Sequence, residues 1–277
     1  MKNVLSIAGS DCSAGAGIQA DLKTFVANGV YGMTVITSLT AQNPQKVKML
    51  EDVSIEMLEK QIEAIFDVME VSAVKIGMLN SKENGEVIYE KLLKYKVKNI
   101  VLDPVMIATS GNSLIKDETK DFLVNKLFKI VDIITPNLDE TKEIVKIILN
   151  NENIENIDSI EKMENYGKVI ADFTKKWVLI KGGHLSNSAV DILMNKDEIY
   201  ILEGEKISSN NTHGTGCSLS SAIASNLAKG YSMLEAVKKA KNFVLYSIKN
   251  SIDFGEIAGT VNQMGEIYKN IDIEKLY

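Results

Sequence analysis

Short apolar runs rich in Val and Ile recur along this chain, and nearly every one ends in a glycine or polar loop that leads into helical spacing. Strand character marks residues 4–8, 31–39, 73–76, 99–103, 131–135 and 178–181, while helical periodicity fills 18–25, 57–69, 117–128, 138–149 and 160–174 and a stretch ending near Tyr95. Parallel strands need long crossovers, usually helical, so this alternation predicts an α/β fold: a mainly parallel central sheet with helices on both faces. Residues 189–194 and 198–202, joined by Asn195-Lys196-Asp197, predict a hairpin near the sheet edge. Two helices are expected to close the chain, the last with Met233, Val237, Ala240, Val244 and Ile248 on one face. With 277 residues, 45% of them hydrophobic, and no composition break, residues 1–277 read as one domain with a full core.

In such sheets ligands bind beyond the carboxyl ends of the strands. The polar or glycine-bearing stretches 9–17, 40–43, 77–78, 103–111, 135–137 and 181–184 all follow strands, so they are expected to converge on one face as an enzyme cleft. Gly15-Ala16-Gly17-Ile18-Gln19-Ala20 matches the dinucleotide pattern G-x-G-x-x-A, but its glycines come well after the strand end and residues 35–42 offer no acid for a ribose. That reading is rejected, and no G-x-x-x-x-G-K-[ST] phosphate loop is present.

The run Asn211-Thr212-His213-Gly214-Thr215-Gly216-Cys217-Ser218 carries more chemistry. Two glycines let the backbone turn and approach a ligand, and a helix that opens there offers unpaired N–H groups and the positive end of its dipole to an anion. Cys217 would sit in that field, where a thiol pKa is lowered. With Lys181 at one strand end and the acids Asp103 and Glu140 at others, this loop supplies the parts of phosphoryl transfer: backbone donors and a cation for the moving charge, and carboxylates for Mg²⁺. Taken singly, Asp103 reads equally well as a turn acid before Pro104, and Glu140 as a first-turn helix acid. His184 and His213 read first as loop hydrogen-bonders. A rival uses Cys217 as nucleophile with His213 as base, though no third orienting residue can be named. A second rival binds a nucleotide and turns nothing over.

A net charge of −6 argues against nucleic acid or an anionic membrane as the main partner, and no apolar stretch approaches the roughly 20 residues of a membrane span. The apolar run at 4–8 is far too short for a signal sequence, so the reading is cytoplasmic. Cys12 and Cys217 form neither a disulfide framework nor a zinc motif, and no structural metal is expected.

Read together, the loops resemble the ribokinase-like superfamily, and within it the hydroxymethylpyrimidine/phosphomethylpyrimidine kinases of thiamine biosynthesis. The carriers are Ala8-Gly9-Ser10-Asp11 with residues 15–24, Thr40-Ala41-Gln42-Asn43, Lys75-Ile76-Gly77-Met78-Leu79, Asp103-Pro104-Val105-Met106, Thr135-Pro136-Asn137 with Glu140, Lys181-Gly182-Gly183-His184, and residues 211–217. The resemblance implies a three-layer sandwich and a cytoplasmic, homodimeric kinase that uses ATP and Mg²⁺. Its acceptors would be 4-amino-5-hydroxymethyl-2-methylpyrimidine and then the monophosphate of that compound. By the same resemblance Gln42 and Asp21 bind the pyrimidine, and Gly9, Ala16, Met78 and Val105 line its pocket. Asp103 and Glu140 serve the metal; Lys181, Thr215, Asn137 and Glu140 serve the nucleotide; Gly214, Gly216 and Cys217 form the anion hole. Cys217 stands where many superfamily members carry an aspartate base, and a neutral thiol repels an already phosphorylated acceptor less than a carboxylate would. Some motifs are shared with pyridoxal kinases, which are the alternative substrate class. Ala14 stands where glycine is expected, and Cys12 places a second thiol in the substrate loop, open to oxidation.

Overall fold

A computed structural model describes residues 1–106, 115–183 and 189–270; His184 and Gly111, read above as loop residues, lie outside the described residues. The strands are β1 (Asn3–Asp11), β2 (Tyr31–Asn43), β3 (Lys46–Asp52), β4 (Ala73–Ile76), β5 (Ile100–Leu102), β6 (Ile133–Ile134), β7 (Trp177–Lys181), β8 (Asp191–Met194) and β9 (Ile199–Leu202). They form one nine-stranded sheet in the order β3-β2-β1-β4-β5-β6-β7-β8-β9. The run from β2 to β7 is parallel, and β3, β8 and β9 add antiparallel edges.

Side-chain alternation divides the central strands between two cores. Leu5, Ile7, Ile100, Leu102, Ile134, Val178 and Ile180 face one way, toward α2 (Ile55–Phe66), α3 (Lys82–Lys94), α4 (Asp117–Asn125), α5 (Leu138–Leu149) and α6 (Ile160–Thr174). Val4, Val101, Ile133 and Leu179 face the other way, toward α1 (Gly17–Ala27), α7 (Thr215–Ala228) and α8 (Met233–Lys249). Strands covered on both faces read as continuous apolar runs, which is why they were legible. The expected sandwich of three layers is the observed one. A further short helix, α9 (Gly265–Asn270), follows the two closing helices that were expected.

α7 bears most on function. From Ser218 to Ala228 every residue is buried, and its Ser and Ala side chains let it lie close on the sheet beside β1, β4 and β5. The buried hydroxyls of Ser220 and Ser225 donate to carbonyls one turn back, those of Gly216 and Ser221, so burial leaves them satisfied.

Two sequence expectations change. The polar stretch 40–43 is not a loop: β2 continues through it and pairs with β3, a strand the hydrophobic pattern did not show. β3 is exposed along most of its length, so no buried face imposes an apolar period on it. Met57, the first apolar residue of the helical period read at 57–69, is exposed, while Leu58 and Ile62 carry the burial.

Candidate active site

The strand ends do converge. Asp103 leaves β5, Lys181 ends β7, and Thr135 with Asn137 follows β6 into α5. Lys181 Nζ lies 2.9 Å from Asp103 Oδ1 and 3.9 Å from Glu140 Oε2. The Thr135 hydroxyl donates to the same Asp103 oxygen at 3.1 Å. Against this cluster stands the first turn of α7: a Cβ on Gly216 would lie 3.2 Å from Asp103 Oδ2 and 3.6 Å from Lys181 Nζ. Gly214, with φ of +87°, makes the turn that opens the helix, and a side chain there would collide with the Gly15 carbonyl. The positive dipole end of α7 and a lysine thus meet at one point, which suits a phosphate.

The charges are unevenly set. Burial raises the Glu140 carboxyl to about 7, Lys181 opposing and Asp103 adding to the shift. Burial works to lower Lys181, but the charges of Asp103 and Glu140 carry it above its ordinary value. Glu140 also completes a capping box: it accepts from the Asn137 N–H, and the Asn137 side chain accepts from the Glu140 N–H, both at 2.8 Å. Thr215 donates its hydroxyl to Thr212 O at 2.6 Å. The side-chain oxygen of Asn137 and the hydroxyl proton of Thr215 are therefore used in shaping the two helix starts.

The other half of the cleft gathers around β1 and β2. A Cβ on Gly9 would touch Met78 Cε, so those two positions adjoin. Ala16 opens α1, and its N–H is held by Asp11. Gln42 lies near the end of β2, where its carbonyl accepts from the Cys12 thiol at 3.2 Å and its N–H reaches the same sulfur at 3.4 Å. Val105 follows Asp103, its N–H turned back on the Asp103 carbonyl.

Cys217 sits in the first turn of α7, near the Gly17 N–H and the charges of Lys75, Asp21 and Asp103. Its thiol is not activated. Burial pushes it up to about 11 despite Lys75, which corrects the expectation drawn from the helix dipole alone. His213 does not serve it as a base either, since Nε2 is 3.0 Å from Asp11 Oδ2. The thiol-enzyme reading loses both its nucleophile and its base.

Asp21 also departs from its expected place in a ligand pocket. It is fully buried, and its carboxylate accepts from Lys75 Nζ at 2.9 and 2.8 Å, from Ser6 Oγ at 2.5 Å and from Ser221 Oγ at 2.7 Å. With both oxygens occupied, it presents nothing to a pyrimidine. Its work is to tie α1, β1, β4 and α7 together beneath Cys217.

Lys75, Thr135 and Asp11 had been given no role from sequence, and His213, read as a loop hydrogen-bonder, had been given no partner. Lys75 left one signal, a charge inside a buried apolar run, which requires a buried partner. The others left none, because polar residues at strand ends look alike until their partners are known.

Comparison with known proteins adds the family. Residues 11–262 match the family model described as phosphomethylpyrimidine kinase. A hydroxymethylpyrimidine/phosphomethylpyrimidine kinase of Aquifex aeolicus is 43% identical over 91% of this chain and 96% of its own. The crystal structure of phosphomethylpyrimidine kinase from Clostridium difficile superposes with a TM-score of 0.77 at 45% identity, covering 88% of this chain and 98% of that one. An ADP complex of Bacillus subtilis pyridoxal kinase reaches a TM-score of 0.87 at 33% identity, covering 97% and 99%.

Proposed function

Because the chain belongs to the phosphomethylpyrimidine kinase family, we propose that its cleft transfers the terminal phosphoryl group of ATP to 4-amino-5-hydroxymethyl-2-methylpyrimidine and then to the resulting monophosphate, for thiamine biosynthesis. One observation carries the reading: Lys181, Asp103 and Glu140 stand against the glycine-opened N-terminus of α7. Phosphoryl transfer needs little covalent chemistry from the protein and much charge stabilisation, and this corner supplies it.

In this reading Lys181 and the first N–H groups of α7 hold the transferring phosphoryl group. Gly9, Ala16, Gln42, Met78 and Val105 hold the pyrimidine, and the Gln42 amide offers both a donor and an acceptor to a ring that has both. Asp103 and Glu140 fit Mg²⁺, an ion bound by one or two carboxylates together with substrate phosphates. When bound, that ion would neutralise phosphate charge. Cys217, a neutral thiol at neutral pH with its pKa at about 11, adds no charge beside a phosphorylated acceptor. It therefore suits two successive phosphorylations; the thiol does not take the acceptor proton, which passes to a phosphate oxygen as the new P–O bond forms and the bond to the departing ADP breaks. Such a kinase belongs in the cytoplasm, where ATP is supplied. A homodimer through the β2–β3 edge is part of the proposal, supported by the exposed Leu39, Val47 and Met49 on that edge.

The test is ADP release from MgATP with hydroxymethylpyrimidine, its monophosphate and pyridoxal in separate assays. Turnover of both pyrimidines, with pyridoxal weak, is expected. Phosphorylation of pyridoxal alone would leave the phosphate corner standing and remove Gln42 from its role; silence with all three would sink the kinase. In the same assay Cys217→Asp is expected to slow the second phosphorylation more than the first.

A further inference from the structure

Asp11 and His213 have no part in the chemistry above, yet they join its two halves. Asp11 ends β1 with its side chain 2% exposed. Its Oδ2 accepts from His213 Nε2 at 3.0 Å and from the Ala16 N–H at 2.8 Å; its Oδ1 accepts from the Ser13 N–H at 2.8 Å and the Ser13 hydroxyl at 2.7 Å. Burial alone would raise this carboxyl, but the hydrogen bonds from His213, Ser13 and Gln42 hold it well below the usual range. An ionised carboxylate only accepts, so the His213 proton must be on Nε2.

The backbone around this bond has little slack. A side chain at Gly15 would collide with the His213 ring, and one at Gly214 with the Gly15 carbonyl. Lys23 Nζ donates to the Ala14 carbonyl at 2.5 Å, while Thr260 Oγ1 and the Val261 N–H hold the His213 carbonyl at 2.9 and 3.2 Å. One of the two loops carries Ala16 on the acceptor side, and the other opens α7 on the phosphate side.

We propose that the Asp11–His213 hydrogen bond is a positioning device: it ties the acceptor loop 11–17 to the anion loop 213–216 and so sets the distance between the acceptor hydroxyl and the phosphate held at α7. The inference rests on the kinase reading. Asp11 and His213 are positioning residues that touch neither reacting oxygen. Reacting atoms must sit about 3–3.5 Å apart, and a misplacement near 1 Å lowers a rate by roughly 10²-fold. Each loop binds its own ligand with its own groups, so loosening the tie lowers kcat and spares the two KM values.

The experiment compares wild type, His213→Ala and His213→Gln with hydroxymethylpyrimidine and MgATP, alongside thermal melts. His213→Ala is expected to lower kcat by about 10- to 100-fold, with both KM values within about twofold and Tm within about 2 °C, roughly 1 kcal/mol for a chain of this length. His213→Gln, whose amide N–H has similar reach, should recover most of the rate. An unchanged kcat in the alanine variant overturns the proposal, and so does a parallel loss of Tm and of both KM values, which would mark a merely structural bond. If His213→Ala does not fold, His213→Gln is compared with His213→Asn, whose shorter amide cannot span the gap; equal kcat then overturns it. A wild type silent with the pyrimidine refutes the kinase reading and this inference with it, whereas an active wild type with an unaffected variant refutes this inference alone.

Discussion

Two aspartate–lysine pairs flank the first turn of α7, and they differ in what is left open. Asp21 and Lys75 both have fully buried side chains, and every oxygen of that carboxylate is taken by Lys75, Ser6 or Ser221. Asp103 and Lys181 are 2% and 19% exposed, and Asp103 Oδ2 faces the space that Gly216 leaves by lacking a side chain. The saturated pair can only hold the fold, whereas the open one can trade partners with a ligand. Charge type and spacing do not separate them; satisfaction does.

The sharpest way to break the comparison is Lys75→Met. Removing one partner of a buried pair leaves an uncompensated charge and costs about 3–5 kcal/mol of stability, to be measured by urea unfolding. Combining it with Asp21→Asn should recover much of that loss, since no bare charge then remains. Lys181→Met is expected to do the reverse. Asp103 keeps the Thr135 hydroxyl and Glu140 keeps the Asn137 N–H and can take up a proton, so melts should move less than for Lys75→Met while kcat falls roughly 10²- to 10³-fold, the effect of losing one preorganised stabiliser. A variant of Lys181 that loses stability and keeps its rate would erase the distinction drawn here.

The smallest expected effect is one of pH. Glu140 titrates at about 7 in the folded chain against 4.5 for a free carboxyl, chiefly through burial. Between those values the folded state binds more protons than the unfolded one, so Glu140 lowers stability as pH rises through that window. Glu140→Gln should flatten that part of the stability profile, measured by unfolding at pH 5 and 7.5 without nucleotide or Mg²⁺. An identical slope in the variant would mean that Glu140 is not the group responsible.

Much of the architecture was legible because burial writes itself into sequence. α5 and α6 fall where their periodicity places them, and the structure caps them with Asn137 and Ser159; β4 is the run 73–76 as read. The hairpin of β8 and β9 was equally plain. β3 was not, because an exposed edge strand imposes no apolar period, although Lys46-Val47-Lys48-Met49 alternates and could have given it away. Within the cleft, the motif positions singled out Asp103, Glu140, Lys181 and Gly216, and the structure brings the four together. Asp21 stands in as strong a motif and lies in the core.

By itself, the sequence determined the layered α/β architecture, the convergence of strand-end loops on one face, and the residue types for phosphoryl transfer. These follow from periodicity and from the rule that loops at strand ends share a side of the sheet. Only the tertiary structure decided which aspartate is spent on Lys75 and which stays open, that the Cys217 thiol is held protonated by burial, and that His213 answers Asp11 instead of Cys217. The reason is physical. A side chain's partners come from other strands and helices, and its desolvation depends on everything packed around it, so neither is a property of the local stretch of chain.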